Sequence, residues 1–294
     1  MAKVTISKEI LDKVYVKRPE DSRKYDFGYL LIVGGSEYYS GAPAMSALAA
    51  FAAGADMVRI VAPKRASDII ATFSPMLATT PLDGPRLTGD NVSALLEAVE
   101  SIKLFSEGKC AVVIGGGIGR SKDTMEAVRE FVGGLNGVPA VIDADAIRPL
   151  AESVELLKGK NLVFTPHARE FCTLTGNKCD GLSDEQLAEL VQNQAANLGV
   201  GIILKGKTDF ISDGVNVAHN VTGNPLMTKG GTGDTLAGLV GALLARGVNM
   251  FDAACAATYI NGTAGDLAGE RKGESVTAMD LIDEIPNVLP KYQY

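Results

Sequence analysis

Short apolar segments alternate with longer helical segments along most of this chain. The segments YLLIV (Tyr29–Val33), MVRIVAP (Met57–Pro63) and AVVI (111–114) are continuously apolar, as strands buried on both faces are. Segments with helical periodicity, such as AMSALAAFAAGA and NVSALLEAVESIKLF, lie between them. Parallel neighbouring strands need a crossover connection, which is usually a helix. We therefore predict a three-layer α/β/α fold with a mostly parallel central sheet.

The length of the chain is compatible with one large domain. With 294 residues, of which 46% are hydrophobic, it can bury a sizeable core. It contains no tandem repeat, low-complexity tract or linker-like segment. We predict a single domain over residues 1–294, in which the first 25 or so residues form an N-terminal arm or helix.

The charge of the chain argues against nucleic acid or an anionic membrane as a partner. It has 28 Lys and Arg residues against 35 Asp and Glu residues, a net charge of −7, and no basic cluster. The N-terminus does not resemble a signal peptide, and no apolar run reaches a membrane-spanning length. No C-x-x-C pair occurs, so we expect reduced thiols and a cytoplasmic protein. The scattered cysteines are Cys110, Cys172, Cys179 and Cys255.

Unusual residues follow the predicted strands. Ligands bind at the carboxyl ends of the strands in sheets of this kind, so loops from distant parts of the chain should meet at one edge. Six such loops occur, and they are GGSEYYSGAP, GGGIGR, DADA, TPHARE, KGKTD and GGTGD.

The loop GGTGD precedes an apolar segment that predicts a helix. Gly231 and Gly233 permit positive φ angles and close approach of a ligand, and the amides at the start of a helix attract an anion such as phosphate. Asp234 in the first turn is placed to accept a proton from a hydroxyl that attacks phosphorus. Alternatively, Asp234 only complements the helix dipole while Thr232 caps the helix.

The glycine-rich segments match no common nucleotide-binding fingerprint. The chain has no G-x-x-x-x-G-K-[ST] sequence, and GGGIGR (Gly115–Arg120) is not G-x-G-x-x-G. A Rossmann dehydrogenase and a Walker nucleotide-binding loop are therefore disfavoured. The segment GGGIG forms either a tight strand-to-helix turn or the lining of a ligand pocket.

Charged residues and one histidine also follow strands. His167, three residues before Glu170, is expected to contact a ligand rather than serve only as a structural donor. Asp143 is a candidate to hold Mg²⁺ through water, whereas Asp145 is expected mainly to cap the next helix. The lysines of KGKTD either serve nucleotide phosphates or are ordinary exposed lysines.

Taken together, six motifs resemble those of the ADP-dependent (S)-NAD(P)H-hydrate dehydratase family, which belongs to the ribokinase-like superfamily. Their order and spacing extend from about Tyr29 to Leu267, which is nearly the whole chain. The motifs are GGSEYYSGAPAMSALAAFAAGADMVRI, VIGGGIG, VIDADAI, TPHAREF, ILKGKTDFI and TGNPLMTKGGTGDTLAGLVGALLARG.

The resemblance implies a repair reaction and therefore a carbon–oxygen lyase. NADH and NADPH become hydrated at the C5–C6 double bond of the nicotinamide ring. The family phosphorylates the ring hydroxyl with ADP, and loss of the phosphate restores NADH or NADPH with AMP and phosphate as by-products. The family also implies Mg²⁺ and a homo-oligomer of four or more subunits, for which exposed Ala-rich helices would be suitable. It further implies a separate NAD(P)HX epimerase, because some relatives carry one as a fused domain.

The resemblance assigns roles to individual residues. Asp234 is the general base on the C6 hydroxyl, and Glu170 helps to organise Mg²⁺ through water. The amides of Gly231, Thr232 and Gly233 form the anion hole. The hydrated dinucleotide contacts Ala42, Gly117, Gly119, His167 and Asp234, and the adenine nucleotide contacts Lys205, Gly206, Lys207, Thr208, Asp209 and Gly233.

Three positions depart from the family pattern. Gly116 stands where Pro is usual, which we expect to loosen a turn. Arg169 stands where Gly is usual and adds a charge beside His167 that is expected to alter substrate contacts. Lys229 stands where a small residue is common.

Two other functions compete with the repair reaction. A ribokinase-like kinase that phosphorylates a hydroxylated vitamin precursor or sugar alcohol with ATP would share the GTGD loop and the fold. A non-catalytic nucleotide sensor would not need the carboxylate of Asp234, because binding alone requires no base.

Overall fold

The structure is a computed structural model, and it describes residues 4–292. Within that range, ten strands form one sheet and eleven α-helices surround it. The strands are β1 (Val4–Thr5), β2 (Tyr29–Val33), β3 (Met57–Pro63), β4 (Ala78–Leu82), β5 (Cys110–Ile114), β6 (Ala140–Ile142), β7 (Leu162–Phe164), β8 (Gly201–Leu204), β9 (Asp209–Ser212) and β10 (Val217–Asn220). The helices are α1 (Ile10–Val14), α2 (Gly41–Ala52), α3 (Lys64–Ile70), α4 (Val92–Phe105), α5 (Lys122–Gly134), α6 (Ile147–Ala151), α7 (Ala168–Thr175), α8 (Asp184–Leu198), α9 (Thr232–Ala245), α10 (Met250–Lys272) and α11 (Ala278–Val288).

The sheet is mostly parallel, as predicted. Its strand order is β1-β10-β9-β8-β7-β6-β5-β2-β3-β4. All pairs from β4 across to β8 are parallel, whereas β8 with β9 and β9 with β10 form antiparallel pairs. The carboxyl ends of β2, β3, β5, β6, β7 and β8 therefore lie along one edge.

Both faces of the central strands are buried, which explains their continuous apolar sequence. In β2, Leu30 and Ile32 belong to one hydrophobic cluster, which also contains residues of α2, α9 and α10. Leu31 and Val33 point to the other face and pack with residues of α4, α5 and α8. Side chains alternate along a strand, so a strand between two helical layers needs apolar residues at every position.

Helix α9 is held very close to its neighbours by glycines. A Cβ atom at Gly238 would overlap the backbone oxygen of Ser46 in α2, and one at Gly241 would lie 2.5 Å from Cγ2 of Val113 in β5. Gly247 has a φ of 86° just after the last residues of α9 and ends the helix. This packing fixes where the first turn of α9 lies relative to the strand ends.

One expectation about the helices needs correction. The Ala-rich helices α2 and α9 are not exposed, because α9 is buried from Thr235 to Ala245 and α2 packs on α9 and α11. In α2 the half-exposed apolar residues are Met45, Leu48, Phe51 and Ala52. Between residues 4 and 292, no helix combines the length and the apolar character that crossing a bilayer requires.

The N-terminal segment contributes both a strand and a helix to the fold. Strand β1 pairs in parallel with β10, and α1 follows it. His219 in β10 lies 3.1 Å from the hydroxyl of Thr5 through its Nε2 atom, which agrees with a structural role for this histidine.

Candidate active site

The first turn of α9 begins at a glycine that no other residue can replace without strain. Gly231 has a φ of 101°, and a Cβ atom there would lie 2.6 Å from Sδ of Met45 and 2.7 Å from Cβ of Ala278. The hydroxyl of Thr232 donates to the backbone oxygens of Met227 (2.9 Å) and Lys229 (3.1 Å). Thr232 therefore holds the loop in place and does not cap the helix, so the prediction that Thr232 caps α9 is wrong.

A buried asparagine from α10 braces the same turn. Asn261 accepts a hydrogen bond from the hydroxyl of Thr235 at 2.7 Å and donates to the backbone oxygen of Thr232 at 3.2 Å. The N–H groups of a first helical turn have no acceptor within the helix, so a rigid turn presents them as a ready anion site. Sequence patterns did not indicate Asn261, because it is a lone amide within an apolar helix.

Asp234 lies half-buried in this turn, at the edge where the strands end. Burial, together with the charge of Asp143, raises the pKa of its carboxyl group to about 7, although Lys205 acts in the opposite direction. Its backbone oxygen accepts from the hydroxyl of Ser46 at 2.8 Å, which fixes it to α2. Such a carboxylate can accept a proton near neutral pH, where general bases are most effective.

Lys205 places a positive charge between two of the loops. Its Nζ atom lies 3.3 Å from Oδ1 of buried Asp143, which also accepts from the hydroxyl of Thr165 at 2.6 Å. Burial lowers the pKa of Lys205, but the carboxylates of Asp143, Glu170 and Asp234 outweigh this effect and raise it. A Cβ atom on Gly233 would lie only 3.3 Å from the same Nζ atom. The ammonium group therefore sits directly at the glycine loop.

The glycines after β5 line this site instead of forming only a turn. A Cβ atom at Gly116 would lie 2.9 Å from Oδ1 of Asp234 and 2.9 Å from Cβ of Ala42. Gly117 has a φ of 70°, and a Cβ atom there would lie 2.8 Å from the ring of Tyr39. Of the two interpretations of this segment, the structure favours the pocket lining.

Tyr39 is a site residue that sequence reasoning did not single out. Its side chain is 45% exposed and lies over Gly117. Burial raises the pKa of its hydroxyl group, and the charge of Asp234 raises it further, which places the ring near the carboxylate. Tyr38 beside it is 87% exposed, and the sequence alone offers no means of choosing between the two.

Asp145 organises a loop and does not cap a helix, contrary to expectation. Its Oδ2 atom accepts from the backbone N–H of Gly119 at 3.1 Å, and its Oδ1 atom accepts from Nε of Arg120 at 2.6 Å. Asp143 occupies the N-cap position of the short 3-10 turn after β6, but its carboxylate makes no capping bond. The prediction failed because a partner 25 residues away competes for the carboxylate.

His167 and Glu170 form a reciprocal cap at the start of α7. Nδ1 of His167 accepts from the backbone N–H groups of Arg169 (3.1 Å) and Glu170 (3.3 Å), and Glu170 accepts from the backbone N–H of His167 at 3.0 Å. Nε2 of His167 lies 3.3 Å from Oε1 of Glu170, and the ring is 53% exposed. The structural role is thus present, and the exposed ring face is what remains for a ligand.

The residues of the loop after β8 differ in their exposure to solvent. Gly206 and Lys207 are exposed, whereas Lys205 is not. Asp209 accepts from the backbone N–H of Gly206 at 3.0 Å and from the amide of Asn220 at 3.2 Å, and its burial raises the pKa of its carboxyl group. Asp209 therefore holds the shape of this loop.

The carboxylates at the site do not form a direct metal cage. No group of three or more His, Cys, Asp or Glu side chains suited to a metal ion occurs within residues 4–292. The oxygens of Glu170 already face His167, and those of Asp145 face Gly119 and Arg120. This donor set suits a Mg²⁺ ion that keeps its waters and is held mainly by nucleotide phosphates.

Lys229, a departure from the family pattern, serves a structural purpose. Its ammonium group donates to the backbone oxygens of Glu274 and Val276, the latter at 3.0 Å. It thereby joins the glycine loop to the segment between α10 and α11.

The predicted site residues meet at one edge of the sheet. Ala42, Gly117 and Asp234 lie together around Gly116 and Tyr39, and Gly233 lies against Lys205. His167 and Lys205 are joined by a backbone bridge between the ends of β7 and β8. In the loop after β8, Lys207 is exposed, whereas Asp209 is half-buried at the start of β9.

Known proteins share both the sequence and this fold. The family model described as NAD(P)H-hydrate dehydratase matches residues 30–287. A protein of Pyrobaculum aerophilum named bifunctional NAD(P)H-hydrate repair enzyme Nnr is 43% identical over 278 residues, which are 94% of this chain and 53% of that protein. This chain thus spans about half the length of that relative.

Two further proteins match over almost their full length. A protein of Cenarchaeum symbiosum named ADP-dependent (S)-NAD(P)H-hydrate dehydratase is 36% identical over 292 residues, which are 99% of both chains. The crystal structure of a ribokinase-like superfamily protein from Enterococcus faecalis superposes with a TM-score of 0.82 at 25% identity, covering 97% of this chain and 94% of that one. The fold is ribokinase-like, and the chain belongs to the NAD(P)H-hydrate dehydratase family.

Proposed function

We propose that this protein carries out the ADP-dependent dehydration of (S)-NAD(P)H hydrate and so restores NADH or NADPH. The observation that carries the proposal is the carboxyl group of Asp234, whose pKa is raised to about 7 beside an anion-binding glycine loop and Lys205. The name of the Cenarchaeum relative, which matches over 99% of both chains, supports this reaction over a vitamin-type kinase.

The reaction begins with proton transfer to Asp234. As the C6 hydroxyl of the hydrated ring loses its proton, its oxygen attacks the β-phosphorus of ADP. A C6–O–P linkage forms, the bond between the two phosphates breaks, and AMP leaves. The electron pair of the ring nitrogen then expels phosphate from C6, and loss of a proton from C5 completes the C5–C6 double bond.

The glycine loop and Lys205 stabilise the charge that develops during phosphoryl transfer. The amides of Gly231, Thr232 and Gly233 begin α9, where their dipoles favour an anion. Lys205 adds a full positive charge next to Gly233. Because these groups are already fixed by Asn261 and Asp143, little reorganisation is needed when the phosphoryl group moves.

The remaining assignments carry over from the family resemblance. The dinucleotide contacts Ala42, Gly117, Gly119 and His167, all at the edge described above. The adenine nucleotide contacts the exposed backbone and side chains of the loop from Lys205 through Gly206, Lys207 and Thr208 to Asp209. Glu170 would help to hold Mg²⁺ through water, and the ion would supply positive charge to the nucleotide phosphates.

The setting of the enzyme is also part of the proposal. We expect a single cytoplasmic catalytic domain that assembles into a homo-oligomer of four or more subunits and works alongside an NAD(P)HX epimerase. The oligomer rests on the family resemblance alone, since α2 and α9 are covered within the chain. Analytical ultracentrifugation would test it, and a purely monomeric protein would contradict it.

The decisive experiment is to incubate the purified protein with hydrated NADH, Mg²⁺ and either ADP or ATP, and to follow NADH absorbance. We expect recovery with ADP, loss of recovery in Asp234→Asn, and full recovery in Asp123→Asn. Asp123 is a matched control, because it lies in the first turn of α5 and is exposed. A folded protein that binds adenine nucleotide without restoring NADH would instead point to a kinase with a stable phosphate ester as its product.

A further inference from the structure

A cavity opens beside the candidate active site, on the face of the sheet opposite α9. Its volume is about 240 Å³, and it lies between the loops that follow β5, β6 and β7. Three arginines line it, namely Arg120, Arg148 and Arg169, together with the carboxylates of Asp145 and Glu170. The walls thus carry more positive than negative charge, although the chain as a whole has a net charge of −7.

The three guanidinium groups are not equally compensated. Nε of Arg120 lies 2.6 Å from Oδ1 of Asp145. Arg148 faces Glu152, with 3.5 Å between Nε and Oε1. Arg169 is exposed, and among the residues that the structure describes its side chain makes no ion pair. A guanidinium group without a partner at a cavity wall is available for an anion, and its planar fork suits phosphate.

The cavity shares His167 with the proposed substrate site, and it is separate from the loop proposed to bind the adenine nucleotide. His167 and Glu170 belong to its wall, and Asp145 in the same wall holds the backbone N–H of Gly119. The Lys205–Asp209 loop follows β8 and contributes no residue to the wall. Gly119, which is proposed to contact the dinucleotide, therefore adjoins the wall of this cavity.

We propose that this cavity binds a phosphate group of the hydrated dinucleotide, with Arg169 as its main ligand. The inference rests on the proposed function for the identity of the substrate. The phosphate is either the 2′-phosphate, which only the NADPH form carries, or the pyrophosphate common to both forms. Arg120 and Arg148 flank it, and their carboxylate partners hold them in place.

Steady-state kinetics of Arg169→Ala test the proposal. The alanine keeps the backbone N–H that donates to Nδ1 of His167, so the start of α7 is preserved. We expect KM for hydrated NADPH to rise roughly tenfold with kcat nearly unchanged, since a charge-assisted bond present in both ground and transition states is lost. Arg169→Lys should show a smaller rise in KM than Arg169→Ala. Added salt should reduce the difference in KM between wild type and Arg169→Ala. Arg23→Ala, an exposed arginine in the loop before β2, is the control.

The pattern of KM values identifies the phosphate. A rise only for hydrated NADPH assigns the 2′-phosphate, and an equal rise for hydrated NADH assigns the pyrophosphate. Unchanged KM values for both hydrates, or a rise confined to ADP, would overturn the inference while leaving the repair reaction intact.

A titration without turnover separates this inference from the proposed function. The fluorescence of NADPH is followed as wild-type protein, Arg169→Ala or Arg23→Ala is added. We expect about tenfold weaker binding for Arg169→Ala alone. If wild-type protein restores neither hydrate, the proposed function fails, and equal or absent NADPH binding by all three proteins would reject the phosphate site as well.

Discussion

Replacing Asp234 with Asn should strongly reduce turnover and, at the same time, stabilise the folded protein at alkaline pH. Turnover falls because the amide cannot accept the proton of the substrate hydroxyl, a loss of about 10²- to 10⁴-fold in kcat. Stability rises because the fold holds an ionised carboxylate in a half-buried place beside Asp143. Replacing a carboxylate that has only a structural role would instead lower the stability of the folded protein.

The size of the effect follows from the pKa of Asp234. Its pKa rises from 3.8 to about 7 on folding, and each unit corresponds to about 1.36 kcal/mol, so the ionised form is disfavoured by roughly 4 kcal/mol. The folded state binds more protons than the unfolded state between these two values. Stability is therefore fully present below pH 4, falls through this window as the pH rises, and has lost the whole amount above about pH 7.

Urea unfolding of the wild-type protein, Asp234→Asn and Asp123→Asn at pH 5 and pH 8.5 measures this effect. We expect the stability of Asp234→Asn relative to wild type to increase by roughly 2 to 3 kcal/mol between the two pH values. Asp123→Asn, in an exposed first turn, should change little. A difference between Asp234→Asn and wild type that stays constant with pH would refute the reasoning, whatever the activity of the variant.

Three further perturbations test the surroundings of this carboxyl. Lys205→Met should lower kcat and move the acid limb of the pH–rate profile, which we expect near pH 7, to higher pH. The reason is that Lys205 lowers the pKa of Asp234, the proposed base. Lys207→Met is the control and should leave the acid limb in place. Gly233→Val should weaken ADP binding at least tenfold in calorimetry, since its Cβ would lie 3.3 Å from Nζ of Lys205, whereas Gly230→Val meets open space and should bind normally. Asn261→Ala should cost about 1 to 3 kcal/mol in unfolding experiments and reduce kcat, and unchanged values for both would rule out the brace.

The buried strands could be predicted well from the sequence, because a strand that is buried on both faces has apolar residues at every position. The span predicted for β2, Tyr29–Val33, is the observed one. Strand β4 was not predicted, since its sequence ATTPL carries polar residues and a proline, as suits the edge of a sheet. The long helix α10 also went unpredicted, because it is buried on many sides and has no clear polar face.

The chemistry of the site was less accessible than its location. Local motifs indicated which loops would meet, since all of them follow parallel strands. They did not indicate which side chains would pair across the chain, as Lys205 does with Asp143 and Arg120 does with Asp145. Tyr39 could not be distinguished from the neighbouring Tyr38, and Asn261 belongs to none of the motifs. Such pairings depend on the register of distant strands, which a single sequence does not encode locally.

The pairing of charges explains why Asp234 suits the role of base. Two carboxylates, Asp143 and Asp234, share one nearby lysine, and Lys205 lies 3.3 Å from Asp143. Asp143 is thereby ion-paired and also accepts a hydrogen bond from Thr165, whereas Asp234 has only a weaker attraction to the same lysine. Had Lys205 paired with Asp234 instead, the pKa of Asp234 would be lower, and its carboxylate would be a weaker base towards a hydroxyl. The unequal division of one positive charge between two acids thus leaves one acid structural and the other basic at neutral pH.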